Sequence, residues 1–537
     1  MMQFDPQKYV YPSRRNAVYA RRAAACTSIP QGAQIGLEIM RRGGNAVDAA
    51  VAMAAAMPLL EPTGNGLGSD CFALVWIAKD QKLYGLNASG PAPAALSAQL
   101  VRDRGFGEMP TEGWLPVTVP GAVGGWAELN RRFGDLPLEQ LFAPAAELAR
   151  EGAPVAVNTA PQWAKDCRRI PDGPPHAYWK QVFLHKNGAP YQCGELFRWP
   201  EYAETLEELA RTNCESFYRG ALMEKTVAFA QETGGFFQKE DFQRCKPEWV
   251  EPISVDYRGY TVCEIPPNGH GLTVLMALKL LDGLTLDAEK ETAENYHNII
   301  ESIKLAFADT KTYIADPRCM KTKVSDLLSD RYLDQRRALI GERALLPQAG
   351  DPSCGGTVYL CTADGEGNMV SFIQSNYTTF GSGVAVPGTG ISLQNRGANF
   401  SLDPQSDNCL AGGKRPYHTI IPGFLLKNGQ AVGPFGVMGA FMQPQGHVQI
   451  LVNAIDYHMN PQQCLDAPRV QWTGGMHIQL EPGVSPQIAQ ELRRRGHEIE
   501  VIPDPIDMGR GQILWRMENG LYCAGTEPRC DGTVAAW

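Results

Sequence analysis

The sequence is short of several things, and each shortage removes a class of function. No run is long enough to span a bilayer. The most apolar stretch, Ala46 to Leu60 ("AVDAAVAMAAAMPLL"), has 15 residues and carries Asp48, against the ~20 that a spanning helix needs. A buried core helix is expected there. The N-terminal "MMQFDPQKYVYPSRRNAVYARRAAACTS" lacks the apolar centre of a secretory signal. Paired cysteines are missing as well: the 14 cysteines are irregularly spaced with no C-x-x-C. Neither a zinc site nor a dense disulfide framework is indicated, and reduced thiols in the cytoplasm are the expectation. Positive charge is in deficit. The net charge is −9 and the Lys and Arg residues are scattered, which argues against nucleic acid as a partner. There is no GxxxxGK[ST], HExxH or GxSxG. "GNGLGSD" has the wrong spacing for a dinucleotide loop and precedes a strand instead of opening a helix. The nine histidines form no metal-like cluster, so no metal and no cofactor is expected.

What is present describes an ordinary globular protein: 537 residues, 44% apolar and 20% charged, enough for a large core. "SIPQGAQIGLEIMRRGGNAVDAAVAMAAAMPLLEP" reads as two helices. The first stops at Gly43-Gly44, and the second starts at the N-cap Asn45 with Asp48 three residues on. A glycine-rich turn and a very apolar strand follow in "TGNGLGSDCFALVWIA", then another strand and loop in "KLYGLNASGPAPAAL". Residues 120–310 carry mostly helical patterns, and short strands with Gly and Pro turns dominate after Thr357. With no repeat, low-complexity tract or long linker, this predicts one α/β body, helix-rich before residue 357 and strand-rich after it.

The segment "GGTVYLCTADGEGNMVSFIQ" holds the candidate chemistry. "VYLCTA" and "MVSFIQ" are β-rich runs flanking the turn "DGEGN". A hairpin centred on Glu366 sets Thr357 opposite Ser375, two hydroxyls on one face. Two readings fit. One is a plain Thr/Ser cross-strand pair. The other is an N-terminal nucleophile: cutting the Gly356–Thr357 bond would give Thr357 an α-amine, whose pKa near 8 suits a general base. Gly355 and Gly356 leave the Gly356 carbonyl open to attack and tolerate a strained backbone.

Motifs in order along nearly the whole chain decide between them. "GLEIMRRGGNAVDAAVA", "EPTGNGLGSDCFALVW", "VTVPGAVGGWAEL", "PPNGHGLTVLMAL", "SIKLAFADTKTYIADP", "TTFGSG", "GKRPYHTIIP", "LDAPRVQW" and "AGTEPRCDGT" together resemble the γ-glutamyltransferases. These are self-cleaving N-terminal nucleophile hydrolases with a four-layer αββα sandwich. The resemblance implies that Thr357 is the nucleophile and new N-terminus. Residues 1–356 would form a large chain and residues 357–537 a small chain of one structural domain. Ser375 falls on a threonine that hydrogen-bonds the nucleophile. Gly439 and Ala440, in "FGVMGAF", fall on the family's Gly-Gly oxyanion hole, a role for backbone N–H groups that alanine can fill if its φ/ψ is allowed.

Other positions depart from the family. Its substrate-carboxylate arginine has no counterpart, because "ASGPAPA" places Ser89 there. Its acid and glutamine for an α-ammonium become Asn399 and Arg396 in "LQNRGANFS". An amide does not neutralise an ammonium and a guanidinium repels one, but Arg396 offers a fork suited to a carboxylate. A structural salt bridge is the competing role for Arg396. Paired serines become His418 and Thr419, with His418 in core or against substrate, and Tyr377 replaces an asparagine. The exchanges predict an anionic acyl group without an amino group. The expected enzyme is an amidohydrolase converting oxamate to oxalate and ammonia, as in purine breakdown. The alternatives are a glutathione hydrolase or γ-glutamyl transferase, an acylase for dicarboxylic acyl amides similar to the cephalosporin acylases, and an uncleaved paralogue that only binds. The expected partners are a small-molecule amide and the two chains of one precursor, with a homodimer of the processed pair among the assemblies, and neither nucleic acid nor membrane.

Overall fold

The computed structural model describes residues 15–347 and 357–537. The cleavage position Gly356 therefore lies outside the described residues, while Thr357 lies within them. Two seven-stranded sheets form the centre. The first is ordered Thr533–Ala536, Ala24–Thr27, Val358–Ala363, Met369–Ser375, Asp70–Ile77, Lys82–Ala88, Glu248–Val250. The second runs Val18–Ala20, Tyr522–Thr526, Arg510–Arg516, Gln430–Met438, Gly423–Lys427, Tyr260–Glu264, Ile253–Tyr257.

The first sheet is buried on both faces, which explains its unbroken apolar strands such as "DCFALVWI". Alternation sorts its residues into two cores. Ala25, Cys71, Ala73, Val75, Val358 and Leu360 pack under the helices Pro30–Arg41, Ala46–Leu60 and Ala122–Phe133. Phe72, Leu74, Tyr359, Cys361 and Ile373 face the second sheet instead. That sheet is covered on its far side by Gly271–Asp282, Met442–Ile455 and Pro461–Asp466. The result is the expected αββα sandwich.

The helix Ala46–Leu60 is buried along its whole length, and Asn45 and Asp48 close a capping box at its start. Helices predominate before residue 357 and strands after it, as expected, but the two parts are interleaved in the sheets. Each sheet takes strands from both sides of residue 357, and the stretch read as helical contains Glu248–Val250, Ile253–Tyr257 and Tyr260–Glu264. Those strands are short, and the long helices around them dominate the pattern. Among the described residues, no helix is long and apolar enough to cross a membrane.

Candidate active site

The hairpin has the expected register: Val358 faces Gln374 and Ala363 faces Met369. One step beyond the ladder, Thr357 Oγ1 donates to Ser375 Oγ at 3.1 Å. On the other side Ser375 faces Asp70 across the next strand. The three residues share the parity of Tyr359, Ile373 and Phe72, so they face the layer between the sheets. Thr357, Ser375 and Asp70 are fully buried. The loop dismissed as a dinucleotide motif lies against the nucleophile. Asn376 N–H donates to the Gly64 carbonyl at 3.0 Å, and a Cβ on Gly64 would come within 3.1 Å of the Thr357 carbonyl oxygen. The glycine is needed for that approach.

Arg396 opens a 3₁₀ turn, Arg396–Asn399, and is fully buried. Its Nη2 donates to Ser375 Oγ at 2.9 Å and its Nη1 to Thr419 Oγ1 at 2.5 Å. The guanidinium carbon stands 4.8 Å from the centre of the Tyr377 ring, a cation–π distance. Tyr377 has a left-handed backbone with φ of 76°, and its N–H donates to Ser375 Oγ at 2.7 Å. Arg396 Nε is buried with no hydrogen-bond partner among the described residues. Burial pulls the guanidinium down to about 10, against the opposing pull of Asp70.

Asp70 is a site residue that sequence reasoning missed. Its Oδ1 accepts from Gly90 and Gly121 N–H at 3.1 and 3.0 Å, and its Oδ2 lies 3.0 Å from His418 Nε2. Burial pushes it up to about 7, with Arg396 acting in the opposite sense. His418 is fully buried and held well below its usual value, by burial first and then by Arg396. A neutral imidazole thus donates Nε2–H to Asp70, and its Nδ1 is buried without a partner among the described residues. The available signal was an acid at the head of an otherwise apolar strand.

Ser89 and Asn399 are not drawn into this group. Ser89 Oγ donates to Asn87 Oδ1 at 2.7 Å, and Asn399 gives its carbonyl to Asn408 Nδ2 at 2.6 Å. No hydrogen bond among the described residues joins the Asn399 side chain to Thr357, Ser375 or Arg396, and its Nδ2 is buried and unpaired there.

Gly439 and Ala440 link the strand Gln430–Met438 to the helix Met442–Ile455. Both have positive φ, 134° and 49°. Neither N–H is taken up by a hydrogen bond among the described residues, so two backbone donors stand at the positive end of a helix. His447 braces the strand end. It accepts from Val437 N–H at 3.1 Å and donates Nδ1–H to Glu264 at 2.7 Å. A cleft of about 400 Å³ opens against this loop, lined by Gln162, Asp166, Thr379, Gly439 and Arg510 among others. Thr357 does not line it.

A sandwich with a buried Thr357–Ser375 hydroxyl pair at the head of a strand and two open backbone N–H groups defines an N-terminal nucleophile hydrolase. The chain belongs to the γ-glutamyltranspeptidase family, whose model matches residues 32–537. It is thereby an amide-bond hydrolase of the self-processing type. It is 34% identical to the glutathione hydrolase-like YwrD proenzyme of Bacillus subtilis, over 93% of this chain and 96% of that protein. Identity is also 34% with the oxamate amidohydrolase proenzyme of Klebsiella pneumoniae, over 94% and 96%. The crystal structure of cephalosporin acylase from Bacillus halodurans superposes with a TM-score of 0.95 at 54% identity, covering 99% of each chain.

Proposed function

We propose that this chain cuts itself before Thr357 and then hydrolyses an amide whose acyl half ends in a carboxylate close to the scissile carbonyl, oxamate being the best candidate. The observation that carries this is Arg396. It is a buried cation with no carboxylate within salt-bridge distance among the described residues and with its Nε–H unspent. Two hydrogen bonds, of 2.9 and 3.1 Å through Ser375, separate it from the nucleophile. A substrate carboxylate held by Arg396 would then lie close to the carbon that Thr357 attacks. Oxamate, with carboxylate and amide directly joined, meets that spacing.

In the processed enzyme the Thr357 α-amine takes the hydroxyl proton as Oγ1 adds to the amide carbonyl. The Gly439 and Ala440 N–H groups hold the oxyanion. Collapse breaks the C–N bond, and the ammonium returns its proton to the departing ammonia. Water, deprotonated by the same amine, adds to the Thr357 ester and releases oxalate. Ser375 fixes the nucleophile and carries the Arg396 charge towards it. Thr419 and Tyr377 hold Arg396, and His418 holds Asp70.

A second reading is favoured by the 54% identity to the Bacillus halodurans acylase: a longer dicarboxylic acyl amide, with its amine half in the 400 Å³ cleft beside Gly439. Rates on oxamate, on glutaryl and adipyl amides and on γ-glutamyl-p-nitroanilide separate the readings. Ammonia release from oxamate no faster than in buffer sinks the first. Turnover of only the γ-glutamyl substrate sinks both.

A further inference from the structure

The expectation that the histidines form no cluster fails at one place, away from the residues described above. His297 and Glu301 stand four apart on the helix Ala293–Tyr313, one turn apart on one face. His497 follows Gly496, which caps the helix Pro486–Arg495 in a left-handed conformation. The turn is fixed by His497 N–H donating to the Leu492 carbonyl at 3.1 Å, and it sets His497 against the other two. His297 and Glu301 are fully buried and His497 nearly so.

The spacing fits a small cation. His297 Nδ1 lies 2.9 Å from His497 Nε2, and His497 Nε2 lies 3.7 Å from Glu301 Oε1. One ligand atom from each residue falls within 4.8 Å of the others. Four-coordinate zinc, with bonds of about 2.0–2.1 Å, holds its ligand atoms about 3.3 Å apart, and the two spacings straddle that distance.

The surroundings orient the ligands. His297 Nε2 donates to the Gly341 carbonyl at 2.7 Å, so its Nδ1 lone pair faces the cluster, the usual arrangement of a metal-binding histidine. Glu301 Oε2 accepts from Leu345 N–H at 3.2 Å, leaving Oε1 for the cluster. With no ion bound, His497 Nε2–H donates to His297 Nδ1; coordination by Nε2 moves that proton to His497 Nδ1, which is buried without a partner among the described residues. One group competes: the fully buried Lys304 puts Nζ 2.7 Å from Glu301 Oε1, and Arg495 stands nearby in a pair with Glu294.

We propose that His297, Glu301 and His497 bind a divalent transition-metal ion, with Lys304 as the internal cation it displaces from Glu301. Two imidazoles and one carboxylate suit zinc or its stand-in cobalt, whereas calcium and magnesium take oxygen ligands. Two ligands precede Thr357 and one follows it, so once the chain is cut as proposed above, the ion ties the two pieces together.

The test is Co²⁺ titration of the full-length protein, purified without chelator or a metal-affinity column. The expected result is one equivalent bound with the visible bands of four-coordinate cobalt, displaced by Zn²⁺. His497→Gln should weaken binding about 100-fold, and Lys304→Met should tighten it about tenfold. The proposal is overturned if the wild type shows no such bands, or if His497→Gln binds as the wild type does. Lys304→Met keeps all three ligands and so does not depend on the folding of a ligand variant. Binding no tighter than in the wild type also overturns the proposal.

Discussion

Arg396 and Arg469 are both buried cations, yet their surroundings have opposite character. Arg469 meets the Glu527 carboxylate at 2.7 Å and the carbonyls of Met508 and Gly509 at 2.9 and 2.6 Å. Arg529 beside it is shared between Glu481 and Glu527. That cluster is closed, with carboxylates of its own chain for both arginines. Arg396 has two hydroxyls and an aromatic face, while the carboxylate that balances it, Asp70, acts without direct contact. A buried charge costs several kcal/mol unless paired. The closed cluster therefore reads as structural, and the open one as a place where a ligand completes the pairing.

The strongest way to break this contrast is to show that the open region is no active site. Thr357→Ala should leave one uncut chain by intact mass and reduce amide hydrolysis to background. Residual turnover above background, or a cut at residue 357 in this variant, removes Thr357 from both roles.

The contrast itself is tested by a matched pair. Arg529→Met strands Glu481, while Glu527 keeps Arg469, and should cost about 3–5 kcal/mol in urea unfolding, with KM unchanged in the folded fraction. Arg396→Met should change stability by less than about 1.5 kcal/mol, because Asp70 is already poised to take up a proton. It should lower kcat/KM on a carboxylate-bearing amide by about 100-fold, within the range for stranding one partner of a buried charge pair. If the two variants behave alike, the open and closed clusters do not differ in role.

A smaller effect sharpens the place of Asp70. Its carboxyl is pushed up to about 7 by burial, from an ordinary value near 3.8. Between those values the folded chain holds a proton that the unfolded chain has released. Stability from this group is therefore present at low pH and lost as pH rises through about 7. Asp70→Asn removes that slope and should keep the two backbone bonds at Oδ1. Its new N–H must donate to His418 Nε2, which moves the imidazole hydrogen to Nδ1. Unfolding free energies at pH 5 and 8 should fall more in the wild type than in the variant by at least about 1.4 kcal/mol, the equivalent of one pKa unit. Equal slopes would remove Asp70 as the titrating group.

How far the sequence carried varies within the site. The Thr357–Ser375 contact was legible because a turn centre and the two-residue period of a hairpin fix which side chains meet. The presence of a guanidinium near the nucleophile was legible from motif order. Asp70 was not, because its neighbour Ser375 comes from a segment about 300 residues away, and only the strand order brings the two together. The interleaving of the two halves escaped for the same reason: strand pairing between distant segments leaves no local pattern. Asn399 shows the converse. Alignment put it in the substrate pocket, but no contact observed here ties its side chain there.

The oxyanion segment offers the smallest and most local test. Ala440 sits at φ 49°, in the left-handed region that costs a residue with a Cβ roughly 1–2 kcal/mol relative to glycine. That strain is maintained because the fully buried Ala440 is fixed between the strand carrying Met438 and the helix starting at Met442. Glycine relieves it but adds freedom to the unfolded chain, worth about 0.4–1 kcal/mol in the opposite direction. Ala440→Gly should thus stabilise by no more than about 1 kcal/mol and change kcat less than threefold, since the group proposed to hold the oxyanion is the N–H that both residues possess. Ala440→Val should destabilise, because a β-branched side chain is strained further at this φ. A loss of kcat in Ala440→Gly with stability unchanged would mean that the methyl group, and not the backbone, does the work assigned here to the N–H.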